Sequence, residues 1–572
     1  MKASAIVSAL FAGKPGQDDS YTIMNRIRRY ERDPASILGI IKDAQEFLNN
    51  PPTYNADETK QYQLRKAVRH VRQKNAEKAM QILTSNDTLM TPSPETANSF
   101  ATKIHASPFQ KGMTSTDPVL TNQPNRPRTT IKHQDIEAAL SPLPASGAGP
   151  DGLTWTDIDH ISRDPIASNV LVQLVEKYIN AELPVLTMRT LVGGKGIALK
   201  KPDGGIRPIC IPYVLHRLAT KIMAKTLNLI TATETSPYQF GIQKKGGRDI
   251  LIHMARAMLE DDNQYMISLD IKGAFSNVNR SAVLHRLTSH PNLAPLVPLF
   301  QVLYPPDAQQ GPIVQLGQGK ILVMEKGLAQ GCALSPALFS LALDTALREA
   351  AKNSQTQPAA YIDDVQNVNT LQNLNSFVAS LHTELSKIGL ELAPHKSKLY
   401  SPNPIDQNLS TLITEQAPQL AAFEKTNSLT YLGAGFGPLN DIMKIKQDDF
   451  KNACTKVREL SGQHAQAAWI LLKTCLTARG HELGRNHHRD DINETLQMMD
   501  EELIKVAEDI IDRHQPGAIQ IKDVPYFTDI LTLPTSKGGF GFRLPTKTAD
   551  AAWTAAAVLT IDHHRQLSIH SD

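Results

Sequence analysis

The stretch Pro358-Ala359-Ala360-Tyr361-Ile362-Asp363-Asp364-Val365-Gln366-Asn367-Val368 sets two adjacent carboxylates between two short apolar runs. Runs of that length, the second punctuated by Gln and Asn, predict a β-hairpin with the acids at its tip. Adjacent acids at a turn are usually solvated, so the four residues Tyr361 to Asp364 gain meaning only from what lies around them.

About ninety residues upstream, Tyr265-Met266-Ile267-Ser268-Leu269-Asp270-Ile271-Lys272-Gly273-Ala274-Phe275 reads as an apolar strand running into a carboxylate and then into small residues and an aromatic. Two strands that deliver acids to the same end of a sheet suit a hard cation. Magnesium takes oxygen ligands, usually one or two carboxylates with substrate phosphates, and keeps part of its water. Two such ions can clamp the attacking and leaving oxygens of an in-line phosphoryl displacement.

Between the acids lies Gly327-Leu328-Ala329-Gln330-Gly331-Cys332-Ala333-Leu334-Ser335-Pro336, leading into an apolar helical run from Ser340 to Ala351. A glycine admits close backbone approach, and Ser335 before Pro336 suits a helix N-cap and first turn. The order of acid strand, Gln-Gly to Ser-Pro helix and Tyr-x-Asp-Asp hairpin resembles the reverse transcriptase family.

The 572 residues suffice for two to four domains, and 41% hydrophobic against 20% charged residues excludes a chain disordered throughout. A net charge of +3 permits nucleic-acid binding without demanding it. The four cysteines, Cys210, Cys332, Cys454 and Cys475, form no Cys-x-x-Cys pair, which argues against a zinc knuckle or a disulfide framework and for a reducing, intracellular compartment. No signal peptide and no membrane span are expected.

Residues 1–115 read as a helical, basic, loosely organised extension, with Leu64, Ala67, Val68 and Val71 on one face and Arg65, Lys66, Arg69 and Arg72 on the other. The basic face is either solvated or laid on phosphates. Thr91 to Arg128 reads as a linker. Lys200-Lys201-Pro202-Asp203-Gly204-Gly205-Ile206-Arg207 predicts a hairpin whose cations suit a triphosphate. From about 446 onward the chain reads as helical, and Lys451, Lys456, Arg458, Lys473 and Arg479 are candidates to follow a duplex backbone. His481, His487 and His488 near Cys475 fit no tetrahedral metal spacing and are expected to be exposed polar residues.

Further segments carry the resemblance, which covers roughly Pro144 to Leu544 and is nearest to the non-LTR, LINE-like retrotransposon class. Gly147-Ala148-Gly149-Pro150-Asp151-Gly152 resembles its "P-x-G-x-D-G" lead-in to the fingers. Gln239-Phe240-Gly241 resembles a "Q-x-G" segment lying along the template, with Arg248 beyond it as a phosphate contact or a helix cap. Gly389-Leu390-Glu391-Leu392-Ala393-Pro394-His395-Lys396 resembles "G-L-x-L-N-P-x-K", Tyr431-Leu432-Gly433 a primer-gripping strand, and Leu533 to Leu544 a block after the thumb.

The resemblance implies an α+β right-hand polymerase fold with an antiparallel palm sheet, with fingers and palm over 116–445 and a helical thumb over 446–572. It implies that Asp270, Asp363 and Asp364 gather two Mg2+ ions, or Mn2+, with Asp364 the least essential. Lys200, Lys201 and Arg207 would close over the nucleotide, while Gln330 and Gly331 would meet it and the template base. Phe275 would exclude a 2′-hydroxyl. Lys396 or Lys398 would protonate departing pyrophosphate. Gln239, Gly241, Tyr361, Tyr431, Leu432 and Gly433 would lie along primer and template. The partners implied are an RNA template, a DNA primer and dNTPs, with no membrane; the sequence leaves the intracellular location open, the nucleus being one that the resemblance allows. No endonuclease or ribonuclease H pattern is recognisable, so either target cleavage comes from a separate endonuclease or this is a truncated or repurposed element. An RNA-dependent RNA polymerase, or a catalytically silent binder with the same fold, are the alternatives.

Overall fold

The computed structural model describes residues 56–569 apart from residues 73, 86–92, 110–127, 145, 201–204, 307–310, 318–319, 515–523 and 525. Apolar burial divides them among a large core under fingers and palm, a second core in the thumb and a smaller one behind the palm sheet. The strands in chain order are β1 (Ala106–Pro108), β2 (Gly194–Lys200), β3 (Ile206–Ile211), β4 (Tyr265–Leu269), β5 (Ile313–Gln315), β6 (Ile321–Met324), β7 (Ala359–Tyr361), β8 (Asp364–Asn369), β9 (Lys398–Tyr400), β10 (Glu424–Thr426), β11 (Leu429–Tyr431) and β12 (Ala434–Phe436). The helices that bear on the site are α1 (Ala56–Arg72), α2 (Ala76–Thr84), α3 (Pro94–Lys103), α4 (Val214–Glu234), α5 (Gly247–Met258), α6 (Ser335–Ser354), α7 (Leu371–Lys387), α8 (Asn440–Ser461), α9 (Ala465–Leu471), α10 (Thr477–Asn486), α11 (Arg489–His514) and α12 (Pro545–Ile569).

The described part of the amino-terminal region is not loosely organised. Ala67, Val68 and Val71 of α1 and Ala79 and Met80 of α2 are buried in the same core as Phe450, Val457, Leu471 and Leu496. An apolar stripe at helical spacing must cover itself, and this one does so on the thumb. Nor is the stretch after Thr91 simply a linker. Ser93 caps α3 by accepting the Thr96 amide, Pro94 opens the helix, and β1 follows it into the fingers sheet.

That sheet has the order β1-β6-β5-β2-β3, and its β2–β3 hairpin pairs Lys200 with Ile206. The turn between them, with Lys201, lies outside the described residues. At the base of the fingers Asp151 is a buried clasp, accepting the Val214 amide at 2.7 Å where α4 begins. Burial pushes its carboxyl up to about 6, against the pull of these hydrogen bonds and of Arg217.

The palm sheet has the order β10-β9-β4-β8-β7. It is antiparallel, with one added edge where β10 runs parallel to β9. Alternation along β4 sends Ile267 and Leu269 into the large core with Leu338 and Leu341 of α6 and Phe377 of α7. Met266 points the other way, toward Ile250 and Leu251 of α5 and toward the β11–β12 hairpin. Full burial of each such side chain contributes about 1.5–3 kcal/mol.

The carboxyl-terminal helix α12 bridges palm and thumb, lying against α5, α10 and α11. Trp553 meets His253 at 4.4 Å and His488 at 5.8 Å between ring centroids. Beside it, Arg248 and Asp249 of α5 pair with Glu482 and Arg485 of α10, both at 2.6 Å. Arg248 is thus engaged with the thumb. Arg458 likewise pairs with Asp509 at 2.7 Å and Glu502 at 3.1 Å, which takes it off the list of free cations on the thumb. His487 is buried, not exposed, and accepts the Gly435 amide of β12 at 2.9 Å. The Leu533 to Leu544 block gains a packing role, since Phe540 and Phe542 both stand edge-on to Trp469 of α9. Among the described residues no helix is long and apolar enough to cross a membrane.

Candidate active site

The acids meet through strand register. β4 and β8 pair Leu269 with Val365, and one further step sets Asp270 beside Asp364. β7 and β8 pair Tyr361 with Asp364, leaving Ile362 and Asp363 as a two-residue turn. Ile362 has φ +60°, and Asp363 is not left-handed. A positive φ at the first central residue alone is the type II′ pattern, a position glycine normally fills. A β-branched residue held there costs roughly 1–3 kcal/mol.

Asp270 is held by its main chain. Its amide donates to the Ser397 hydroxyl, and its carbonyl accepts the Ala393 amide at 2.8 Å. The acid strand is therefore tied to the Pro394–Lys396 turn.

A cavity of about 860 Å3 opens in front of these groups, lined by Asp270, Asp363, Phe275, Arg207, Gln330, Gly331 and Lys396 among others. Phe275 is half-buried and tilted against Phe339 of α6 at 5.0 Å between centroids. Gln330 offers its carbonyl to the Cys210 amide of β3. Gly331 has φ +127°, and a Cβ there would lie 2.0 Å from the Cys210 carbonyl oxygen, so it must be glycine for strand and loop to meet. Ser335 does not cap α6. Its hydroxyl donates to the Ala329 carbonyl at 2.9 Å and ties back the same turn. Lys396 lines the cavity, whereas Lys398 reaches Glu424 on β10 at 3.0 Å. Lys200 is exposed at the end of β2.

The residues assigned to primer and template divide. Leu432 and Gly433 form the β11–β12 turn, both with positive φ, but Tyr431 is 3% exposed and points into the core behind the sheet. Tyr361 is half-buried. Gln239 is 6% exposed and bonds to Ile362, and Gly241 lies where a Cβ would come within 2.8 Å of the Ile362 nitrogen.

Several cavity residues were given no role by the sequence reading, Lys103, Lys272, Glu391 and His395 among them. Glu391 and His395 sit inside a recognised segment whose spacing points only to the lysine. Lys103 arrives on α3 from the amino-terminal region, and no motif marks it.

Burial, then the charges of Asp363 and Asp270, pushes Asp364 up to about 6. Burial and Asp270 raise Asp363 as well. Crowded acids of this kind are relieved by a cation. Among the described residues no three His, Cys, Asp or Glu side chains converge as a ready-made cage. Asp270 and Asp363 both line the cavity, and magnesium takes one or two carboxylates and completes its shell with water and phosphate oxygens.

Residues 199–436 match the family model "Reverse transcriptase (RNA-dependent DNA polymerase)". Over 436 residues the chain is 23% identical to the retrotransposable element SLACS 132 kDa protein of Trypanosoma brucei gambiense, covering 75% of this chain and 35% of that protein. It is 25% identical over 332 residues to the Pol polyprotein of the type-2 retrotransposable element R2DM of Drosophila melanogaster, covering 54% and 30% respectively. Among solved structures, apo telomerase from Candida tropicalis is similar at 12% identity and a TM-score of 0.32, covering 59% of this chain and 68% of that one. The chain spans about a third of the length of the curated relatives it matches.

Proposed function

We propose, from the premise that residues 199–436 are a reverse transcriptase domain of the non-LTR retrotransposon class, that this chain extends the 3′-hydroxyl of a DNA primer along an RNA template with dNTPs. The observation that carries the reading is the meeting of Asp270 and Asp363, from two strands, in one cavity with Arg207, Phe275 and Lys396.

In this reading the primer oxygen forms a bond to the α-phosphorus as the bond to pyrophosphate breaks. Asp270 and Asp363, supported by Asp364, would hold two magnesium ions, with manganese as the substitute, and bound there the ions offset charge on the attacking and leaving oxygens. Arg207 meets the triphosphate with its fork of donors, and Lys200, with its sequence neighbour Lys201, is the further candidate to contact it. Lys396 gives a proton, or only its charge, to departing pyrophosphate. Phe275 fills the space a 2′-hydroxyl would need. Gln330 and Gly331 border the nucleotide, and the Leu432-Gly433 turn takes the primer.

Primer extension on an RNA template with magnesium, run with dNTPs and with ribonucleotides and on the parent and Asp363→Ala, tests this. Extension with dNTPs that vanishes in the variant is expected. Extension by ribonucleotides alone would make the chain an RNA polymerase, and template binding without extension would make it a silent binder.

A further inference from the structure

We propose that Gln239 is a positioning residue whose buried carboxamide holds the catalytic hairpin in the left-handed turn that sets the Asp363 carboxylate. The inference rests on the polymerase reading of the site and reassigns a residue that the sequence pattern places on the template.

The Gln239 Oε1 accepts the Ile362 amide at 2.7 Å and the Gly241 amide at 2.9 Å, while Nε2 donates to the Ile362 carbonyl at 3.2 Å. The Ile362 N–H belongs to the peptide before that residue and its C=O to the peptide after it. One side chain thus restrains both φ and ψ of Ile362, the residue at +60° immediately before Asp363. A β-branched residue does not stay in that region unless its surroundings over-determine it. These three bonds are such a constraint.

The clamp is itself anchored. The Ala360 amide donates to the Tyr238 carbonyl at 2.7 Å, and the Phe240 amide to the Ala360 carbonyl at 2.8 Å. Residues 238–240 therefore run beside β7 as an added edge, bridged in parallel between Gln239 and Ala360. On the far side Phe240 stands edge-on to His563 of α12 at 5.1 Å. A side chain at residue 241 would push the clamp away from Ile362. At 6% exposure Gln239 has little surface left to offer a template.

The chemistry limits what can replace it. Asparagine is one methylene short of both Ile362 groups, and glutamate keeps the acceptor but sets a carboxylate oxygen against the Ile362 carbonyl. Glycine at position 362 adopts a positive φ without strain and needs no clamp.

The test measures extension on an RNA template at saturating dNTP for the parent, Gln239→Ala, Ile362→Gly and the double variant, with Gln239→Glu standing in if the alanine variant does not fold. Amide exchange at Ile362 supplies a readout separate from activity. We expect Gln239→Ala to lower kcat about 100-fold, the cost of an ångström-scale misplacement, with KM for template-primer unchanged and Ile362 exchange accelerated. In the Ile362→Gly background the same substitution should cost far less. An equal loss in both backgrounds, a raised KM with kcat intact, or unchanged exchange would overturn the proposal. A parent that extends nothing would remove the polymerase reading by itself, and the exchange comparison would then separately decide whether the clamp exists.

Discussion

The Asp270 amide donates to the Ser397 hydroxyl at 3.1 Å, and that hydroxyl donates in turn to the Ala393 carbonyl at 3.0 Å. Ser397 is fully buried. One hydroxyl therefore couples the strand that carries the first acid to the turn that carries Lys396. Ser397→Ala leaves the Asp270 amide without this partner and should cost about 1–3 kcal/mol of stability, together with a drop in extension rate. Denaturant unfolding beside primer extension checks it, and an unchanged unfolding midpoint would count against the coupling.

The raised carboxyls predict a pH dependence. Asp364 sits near 3.8 when unfolded and about 6 when folded. A group raised in this way stabilises the fold below its unfolded value, and that contribution is lost as pH rises through about 6. Asp364→Asn should therefore be more stable than the parent at pH 8, by roughly 1 kcal/mol or less given solvent screening, and should lose that advantage toward pH 4. Melting curves across this range test the sign. Extension by the parent should need more magnesium as pH falls toward 6, because protons compete for the same oxygens.

Gly331→Ala drives a methyl group into the Cys210 carbonyl at a positive φ. Backbone on both sides gives it nowhere to go, so a loss of about 2 kcal/mol or more is expected. A melting temperature within error of the parent would show that the loop can separate from β3 at little cost.

Phe275→Val opens space beside Phe339 and in front of the acids. If the ring excludes a 2′-hydroxyl, the preference for dNTPs over ribonucleotides should fall roughly 10- to 200-fold, read as the ratio of kcat/KM values. An unchanged ratio would return Phe275 to an ordinary packing role against α6.

What was legible in the chain was what a short range encodes. Strand alternation and a two-residue turn put Asp270 at the end of one strand and Asp363 and Asp364 at the tip of a hairpin, while their meeting at one end of a sheet rests on the long-range pairing of β4 with β8, which only the order of motifs implied. Lys396 and Lys398 could not be told apart, because the choice rests on Glu424 in β10, which joins β9 in parallel from a separate part of the sequence. Gln239 was visible as part of a pattern, but the direction of its carboxamide depends on Ile362, more than a hundred residues away. The stripe on α1 announced a buried face without naming its cover, and Lys103 belongs to no pattern at all. His487 reads as polar, yet it is buried because an unpaired amide at Gly435 needs an acceptor there.

The thumb core takes Ala67, Val68, Ala79 and Met80 from one end of the described chain and Phe542, Leu544 and Ala549 from the other. On a ribosome the first group emerges hundreds of residues before the second. At about 5–20 residues per second the delay is on the order of a minute. Fingers and palm draw their large core from residues 100–423 and can condense within that interval, while α1 and α2 wait with bare apolar faces. The thumb is then completed only after fingers and palm, and a nascent chain halted before it holds a palm with its acids and two helices whose apolar faces still lack the cover that the thumb supplies.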